Sequence, residues 1–571
     1  MRIKKKECTF WRCIKMAFEI LPGHFSWMLI IHIIVAILPL LGAQLSRKIY
    51  GLAQSLLNRS QSVMQIVFPL VLYTCYLLLM KAYVVYYQRV AIQFGGLPDF
   101  EKKAKLRLHK KCDQVDMRMY ETPAFYNNLW EAKVASINVY RLVECSIGLV
   151  CIVLNIFLMS GYAFSIHPSF FLLAVLTAIP ALVEKVFSAV LRNKRRSELT
   201  QLSKAERLQR KSLTEIPCAK ERLVYGSFPF LFKKWKETAD HLLDKDYALG
   251  KCILCMGVVL TIIKAASIAS VHALAGWLFF NGEIDFADFM VTISTTLHLQ
   301  SQYSDLFSDI GSFSEFQMMV KPYFQFIDTE NKSPEINPTG NIKFNHVRFA
   351  YPTSDKDVLH SLNFCIHSGE KIAIVGVNGA GKTTLSKLLV RLLPPSSGTI
   401  EGQLASSYGV MFQDFQKYEL TLRENIALNE YTPSMPSKID QLIDEINMRD
   451  IPDYVLLGRE FGGTDLSGGQ WQKTALARLF YHDGELLVLD EPTSAIDPIY
   501  EKNLNELILG KVGRGKTLIV ISHRLSIAKL VDRVFVLENG TIVEQGNHER
   551  LIQNPNSRYT KLWTAQIGWY K

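Results

Sequence analysis

Between Gly376 and Thr384 the chain reads GVNGAGKTT, a fit to G-x-x-x-x-G-K-[ST]. Such a loop turns successive backbone N–H groups, here those of Gly376, Asn378, Gly379, Ala380 and Gly381, toward phosphate oxygens, and its glycines keep side chains out of the way. Lys382 then reaches the β- and γ-phosphates. Thr383 offers its hydroxyl to Mg²⁺, and Thr384 begins a helix whose N-terminal partial charge favours the same anion. Further on, LLVLDEPTSAIDP (Leu486 to Pro498) starts with four apolar residues that suit a buried strand and carry Asp490 to its end. A carboxylate there can hold Mg²⁺ through water, and Glu491 follows at once, placed to orient or deprotonate an attacking water. Between the two lies LSGGQ (Leu466 to Gln470), where Gly468 and Gly469, flanked by Ser467 and Gln470, open another helix and make a second phosphate-binding N-terminus. The chemistry these groups fit is hydrolysis of ATP with Mg²⁺ as cofactor.

Strands and helices must hold these groups, and the pattern supplies both. IAIV (Ile372 to Val375) is a short apolar strand leading into the phosphate loop, and LSKLLVRLL (Leu385 to Leu393) is an amphipathic helix leaving it. From Ile342 onward short apolar strands alternate with helical segments and Gly-bearing turns. Upstream the pattern changes. Six apolar stretches, Phe25 to Leu45, Val63 to Tyr87, Val143 to Tyr162, Phe170 to Val190, Leu249 to Phe280 and Phe286 to Leu306, are each near or above the roughly 20 residues that cross a bilayer. The expected fold is an all-α six-helix transmembrane domain over 1–325 followed by an α/β P-loop ATPase domain over 342–571. FIDTENKSPEINPTGN, rich in Pro, Asn and charge, reads as the linker over 326–341.

Composition agrees with a membrane portion, because 49% hydrophobic residues and a mean hydropathy of +0.11 are high for a soluble enzyme. The net charge of +11 could suit nucleic acid, yet Lys and Arg gather in the long connections Arg89 to Leu142 and Leu191 to Ala248. The positive-inside bias makes those connections and the N-terminus cytoplasmic. Six crossings then return the C-terminal domain to the side where ATP is. The expected surroundings are a lipid bilayer, with no nucleic acid. Cysteines are scattered without pairing spacing and read as reduced thiols; Cys252 and Cys255, a C-x-x-C inside an apolar span, read as helix packing rather than metal or redox. Phe10, Trp11, Ile14, Phe18 and Ile20, among charges, suggest an amphipathic helix on the cytoplasmic membrane surface, ending near Pro22 and Gly23. Lys264 is an intramembrane charge and so a functional candidate. The sixth stretch carries Thr292, Thr295, Thr296, His298 and Gln300, which suit either a wet cavity or hydrogen bonds between helices.

With LSGGQ in place the chain resembles the ATP-binding cassette (ABC) superfamily, and six spans followed by one cassette resemble a half-size ABC exporter along the whole length. The resemblance implies further roles. Tyr351 in FAYP would stack on adenine, and Gln413 in MFQDF would contact Mg²⁺ and water. SAID (Ser494 to Asp497) resembles the D-loop, and His523 in ISHR resembles the switch histidine that contacts the γ-phosphate. In that family two cassettes associate head to tail, so the expected partner is a second copy in a homodimer, with a heterodimer as the alternative. Val115 to Lys133 and Cys218 to Trp235 resemble coupling elements, and Tyr120, Phe125, Tyr126, Tyr225, Phe228 and Phe230 favour a docked surface. MFQDFQKYELTLRENIAL and LSGGQWQKTALAR resemble the cassettes of nisin-type lantibiotic exporters. The implied cargo is a ribosomally made, modified peptide, and the implied location a bacterial plasma membrane with the cassette in the cytoplasm. A lipid flippase, a multidrug exporter, and an ATP-gated channel or sensor are the alternatives. No Cys-His peptidase domain is expected before Phe25, so leader removal would fall to another protein.

Overall fold

The computed structural model describes residues 9–57, 64–87, 95–329, 341–354, 356–402, 407–428, 436–452, 454–458, 463–493, 498–513 and 515–567. It divides into two units, Met1–Asp113 with Asn128–Thr329, and Gln114–Asn127 with Glu330–Lys571. Helices build the first: α1 (Thr9–Ile20), α2 (Pro22–Leu57), α3 (Met64–Val85), α4 (Leu97–Gln114), then, past the short α5 (Met117–Tyr120) of the second unit, α6 (Pro123–Ile166), α7 (Pro168–Thr214), α8 (Ile216–Val224), α9 (Phe228–Phe280), α10 (Phe286–Met319) and α11 (Lys321–Ile327).

The helices run far beyond the apolar stretches: α6, α7 and α9 have 44, 47 and 53 residues. Much of what reads as charged connection, such as RNKRRSELTQLSKAERLQRK, is therefore helix. Lys, Arg, Glu, Gln and Leu are good helix formers, and no Gly or Pro interrupts that run. The first break comes at Glu215, extended ahead of Pro217, and the second after α8, at Tyr225 and Gly226, the latter at φ +57.

Among the described residues five helices are long and apolar enough to cross a membrane: Pro22–Leu56, Met64–Tyr83, Ala124–Ile166, Pro168–Arg192 and Phe228–Phe280. The sixth expected span is the 34-residue α10, which lacks their apolarity because of its Thr, Ser, Gln and Asp content. Its Thr292, Thr295 and Thr296 are buried, and the Thr292 and Thr296 hydroxyls donate to the carbonyls of Asp288 and Thr292, both at 2.7 Å. Val291, Leu299 and Tyr303 of the same helix pack with Ala43, Met159 and Ala178. This face serves helix packing, with the Thr292 and Thr296 hydroxyls satisfied one turn back, while the buried Thr295 Oγ1 has no partner among the described residues and the three threonines border a small cavity with Ala163, Phe170 and Leu299.

Ion pairs join helices of the first unit. Lys264 of α9 bonds Glu184 of α7, and Arg47 of α2 grips Asp288 of α10 at 2.7 and 2.9 Å. Cys252 and Cys255 are exposed on α9, so they do not pack between helices as expected. On α1 the buried stripe is Cys13, Met16, Ala17 and Ile20, and Trp11 faces outward. Arg12 of α1 bonds Asp328 at 2.8 Å and lies 4.4 Å over the Phe324 ring. The buried Tyr323, Phe324 and Phe326 carry helix to Ile327, just into the stretch read as a linker; 330–340 lie outside the described residues.

The second unit holds β1 (Asn341–Phe349), β2 (Leu359–His367), β3 (Lys371–Val375), α12 (Lys382–Leu389), β4 (Ser397–Glu401), β5 (Tyr408–Met411), α13 (Leu422–Ala427), α14 (Pro436–Glu445), α15 (Gly468–His482), β6 (Leu486–Asp490), α16 (Pro498–Lys511), β7 (Thr517–Ser522), β8 (Arg533–Glu538), β9 (Thr541–Gly546), α17 (His548–Ile552) and α18 (Arg558–Ile567). A three-stranded antiparallel sheet has the order β2-β1-β4, and a six-stranded sheet the order β5-β6-β7-β3-β8-β9, parallel except at β9. Its central strands are apolar on both faces, as a parallel sheet covered on both sides requires. Ala373, Val375, Leu487, Leu489, Leu518 and Val520 face one core, while Ile372, Ile374, Leu486, Val488, Ile519 and Ile521 face the other. Adjacent β6, β7 and β3 therefore end together, and the loops that leave them converge on one edge.

Candidate active site

Three loops share that edge. After β3, Gly376 lies so close to the main chain that a Cβ would come within 2.2 Å of the Leu537 carbonyl oxygen. Gly381, at φ +97, caps α12 in a left-handed conformation that an L side chain resists. Together they fix the turn that brings Lys382 inward. Its buried ammonium donates to the loop's own carbonyls, Gly376 at 3.0 Å and Val377 at 3.2 Å, and stands 3.9 Å from Glu491 Oε1. Burial holds the Lys382 pKa below the usual lysine value, against the pull of Glu491 and Asp490.

At the end of β6, Asp490 is fully buried. Burial pushes its carboxyl up to about 6; the Thr383 hydroxyl opposes this and the Glu491 charge adds to it. Although that hydroxyl is near, neither Asp490 oxygen has a hydrogen bond of regular geometry. A buried carboxylate with open lone pairs beside a threonine hydroxyl is a donor set that fits a hard divalent cation, Mg²⁺ above all. Glu491, at φ +54, is a non-glycine residue in the left-handed region, fixed by its N–H to Ile521 O at 2.8 Å and by Gln472 Nε2 to its carbonyl at 3.0 Å. Its side chain meets the loop after β7: His523 donates from Nδ1 to Glu491 Oε2 at 2.5 Å and from its backbone N–H to Oε1 at 3.2 Å.

The structure thus brings Gly376 through Thr384, Asp490, Glu491 and His523 together. Tyr351 joins them: its hydroxyl lies 3.1 Å from Thr384 Oγ1, and Phe349 meets its ring edge-on at 5.0 Å. Gln413 is exposed in the loop beyond β5, which pairs with β6 and so leaves the sheet at the same edge. LSGGQ opens α15, where Ser467 Oγ accepts from Gln470 N at 3.3 Å and Gln470 Oε1 accepts from Ser467 N at 2.9 Å, a reciprocal capping box. Gly468 and Gly469 form its first turn. Asp497, with the rest of SAID, lies outside the described residues.

Several contacts have no counterpart in the sequence reading. Gln472 is one, although a glutamine among the buried Trp471, Thr474 and Ala475 is a signal of its own. Arg478, also on α15, donates to Asn425 O at 2.9 Å and to Gln416 O at 3.3 Å, and stands 5.2 Å over the Tyr418 ring, tying α15 to the segment that follows Gln413. Glu121 is a third. Its carboxylate receives Lys387 Nζ of α12 at 2.7 Å, while Met117 of α5 packs on the core beside Tyr351 and Val410. The neighbouring groove of about 320 Å³ is lined by Met117, Lys387, Asp414, Phe415 and Arg478. In the first of the two stretches expected to act as coupling elements Phe125 is buried and Tyr126 exposed; in the second, Tyr225, Phe228 and Phe230 are all exposed.

Comparison with known proteins agrees with this geometry. Residues 359–494 match the ABC transporter family. The chain is 28% identical over 483 residues to the subtilin transport ATP-binding protein SpaT of Bacillus subtilis, covering 79% of this chain and 78% of that one. It is 37% identical over 256 residues to the leukotoxin translocation ATP-binding protein LktB of Mannheimia haemolytica, but that match covers 41% of this chain and 35% of the other. The fold superimposes on the structure of a bacterial Atm1-family ABC exporter with ATP bound, with a TM-score of 0.76, 19% identity and coverage of 96% and 99%. Residues 359–494 are thus an ABC transporter domain, and the chain has the build of an exporter half, a multi-pass helical membrane domain joined to one nucleotide-binding cassette whose ATPase activity is coupled to transport.

Proposed function

We propose that two copies of this chain form an exporter that uses ATP to move a ribosomally made, modified peptide out across a bacterial plasma membrane. The observation that carries the substrate class is the similarity to a protein named for subtilin transport, which extends over most of both chains and so includes membrane helices as well as cassette. The phrases MFQDFQKYELTLRENIAL and LSGGQWQKTALAR support the same reading.

In this reading the backbone N–H groups of Gly376 to Thr384 hold the phosphates. Lys382 exchanges its two loop carbonyls for phosphate oxygens, and Tyr351 stacks on the base. Thr383, Asp490 and Gln413 are the residues that would hold Mg²⁺, which when bound neutralises phosphate charge. Glu491 orients the water whose oxygen attacks the γ-phosphorus as the bond to the β–γ bridging oxygen breaks, and its carboxylate accepts the proton. His523 keeps that carboxylate in place. Ser467, Gly468, Gly469 and Gln470 of the second copy would close over the same phosphates, with Asp497 between the sites. Two identical cassettes give two equivalent sites.

Transport follows if the first coupling segment moves with the nucleotide, since Lys387 sits on the helix that Lys382 begins and bonds Glu121 of that segment. Cargo that binds one state of the membrane domain better than the other biases the cycle by that difference. Purified protein in lipid vesicles is expected to show ATPase stimulated by a modified peptide, and cells lacking it to retain that peptide. Stimulation by small amphiphiles alone would point to lipid or drug transport, and hydrolysis without cargo accumulation to a channel or sensor.

A further inference from the structure

The loop that carries His523 is clasped from outside. After β7 the chain enters the 3-10 turn Leu525–Lys529, which starts from Arg524, a residue whose side chain has no acceptor with which to cap it. The first amide of the turn would otherwise be an orphan. Instead, Leu525 N–H donates to Gln566 Oε1 of α18 at 3.0 Å, and Gln566 Nε2 donates back to the carbonyl of His523. One carboxamide therefore holds both main-chain groups that flank Arg524. No other side chain of this length offers an acceptor and a donor side by side, apart from glutamine. The opposite side of the loop is also held: buried Glu501 of α16 receives Arg524 at 2.5 Å and bonds the Ser526 hydroxyl.

We propose that Gln566 is a positioning residue for ATP hydrolysis. It fixes the main chain at His523, and through it the N–H and Nδ1 that hold the Glu491 carboxylate. The inference rests on the assignment of Glu491 and His523 to hydrolysis. It gives the C-terminal helix, far from the phosphate loop in sequence, a part in the rate of bond cleavage and none in nucleotide affinity.

The test is ATPase kinetics of the full-length protein in lipid, with Gln566→Leu and Gln566→Glu. Both should lower kcat about tenfold, the scale of losing a hydrogen bond or two, and leave the KM for ATP within about twofold. The glutamate variant is the sharper of the two. It is isosteric, so a residue that merely packed or accepted would tolerate it, whereas here an oxygen would replace Nε2 and face the His523 carbonyl. In a His523→Ala background, Gln566→Leu should cost clearly less than in the wild type, because the imidazole it positions is gone and only the main-chain N–H is left to misplace. A wild-type kcat for Gln566→Glu, a raised KM with kcat intact, or losses that multiply in the double variant would overturn the proposal while leaving the site assignment standing. Wild-type kcat for His523→Ala itself would defeat the assignment, and this inference with it.

Discussion

The two helix ends proposed to bind phosphate are built in opposite ways. At the phosphate loop, charge is buried and poorly matched: Asp490 has no regular hydrogen bond, and Lys382 donates to carbonyls of its own loop. At LSGGQ the polar groups satisfy one another, Ser467 and Gln470 closing a capping box on an exposed helix end. One end is incomplete without a ligand, and the other is finished before it meets one. An unpaired buried carboxylate costs about 1 to 3 kcal/mol or more, which the loop end recovers only when cation and phosphate arrive. The signature end can approach a nucleotide already held elsewhere without refolding.

The largest effect should come from the loop end. Glu491→Gln keeps shape but cannot take the proton from water, so kcat should fall by a hundredfold or more, on the order of 3 kcal/mol, while ATP binding persists. Steady-state ATPase beside nucleotide titration checks this, and near-normal turnover would remove Glu491 from the role of base.

Asp490→Asn should split stability in a way no signature variant does. Without nucleotide the melting temperature should hold or rise, because a buried charge worth roughly 1 to 3 kcal/mol is gone, and the added stabilisation by Mg²⁺ and ATP should largely disappear. Thermal melts with and without both ligands decide it; a drop in the ligand-free melt would mean that Asp490 is already satisfied.

Ser467→Ala should do the reverse. It opens the capping box and should cost about 1 kcal/mol with no nucleotide present. A ligand-free melt unchanged from wild type would end the contrast between the two ends.

The smallest effect should come from Tyr351→Phe, which removes only the hydroxyl. Because that hydroxyl meets Thr384, Tyr351→Phe should weaken ATP binding by about 0.5 to 1.5 kcal/mol, whereas loss of the ring in Tyr351→Ala should cost about 1 to 3 kcal/mol. Equal losses in the two variants, measured by nucleotide titration, would assign the whole effect to the hydroxyl.

The loop end is legible in the sequence because its chemistry is contiguous: strand, turn and helix follow one another from Ile372 to Leu389, and Asp490 and Glu491 end a strand of unbroken apolar residues. The features that escape a reading of the sequence depend on contacts between distant segments. Nothing local marks Gln566 as the partner of Leu525, or Glu121 as the partner of Lys387. Hydropathy also separates span from loop where the backbone makes no such distinction, since Lys- and Arg-rich segments remain helical once they leave the apolar stretch. Helix α10 shows the converse limit. A threonine is polar by composition, yet Thr292 and Thr296 bury themselves by bonding the turn before.

The length of α9 has a mechanical meaning. Its 53 residues form a rod of about 80 Å, with no proline beyond the first turn, whereas its neighbour α7 carries Pro180 in its interior. No joint separates its charged third from its apolar remainder. A tilt of about 5° over such a rod shifts one tip against the other by roughly 7 Å, more than a helical turn. Small rotations at the charged end thus become displacements of several ångströms at the other, with leverage set by the rod and not by any single contact along it.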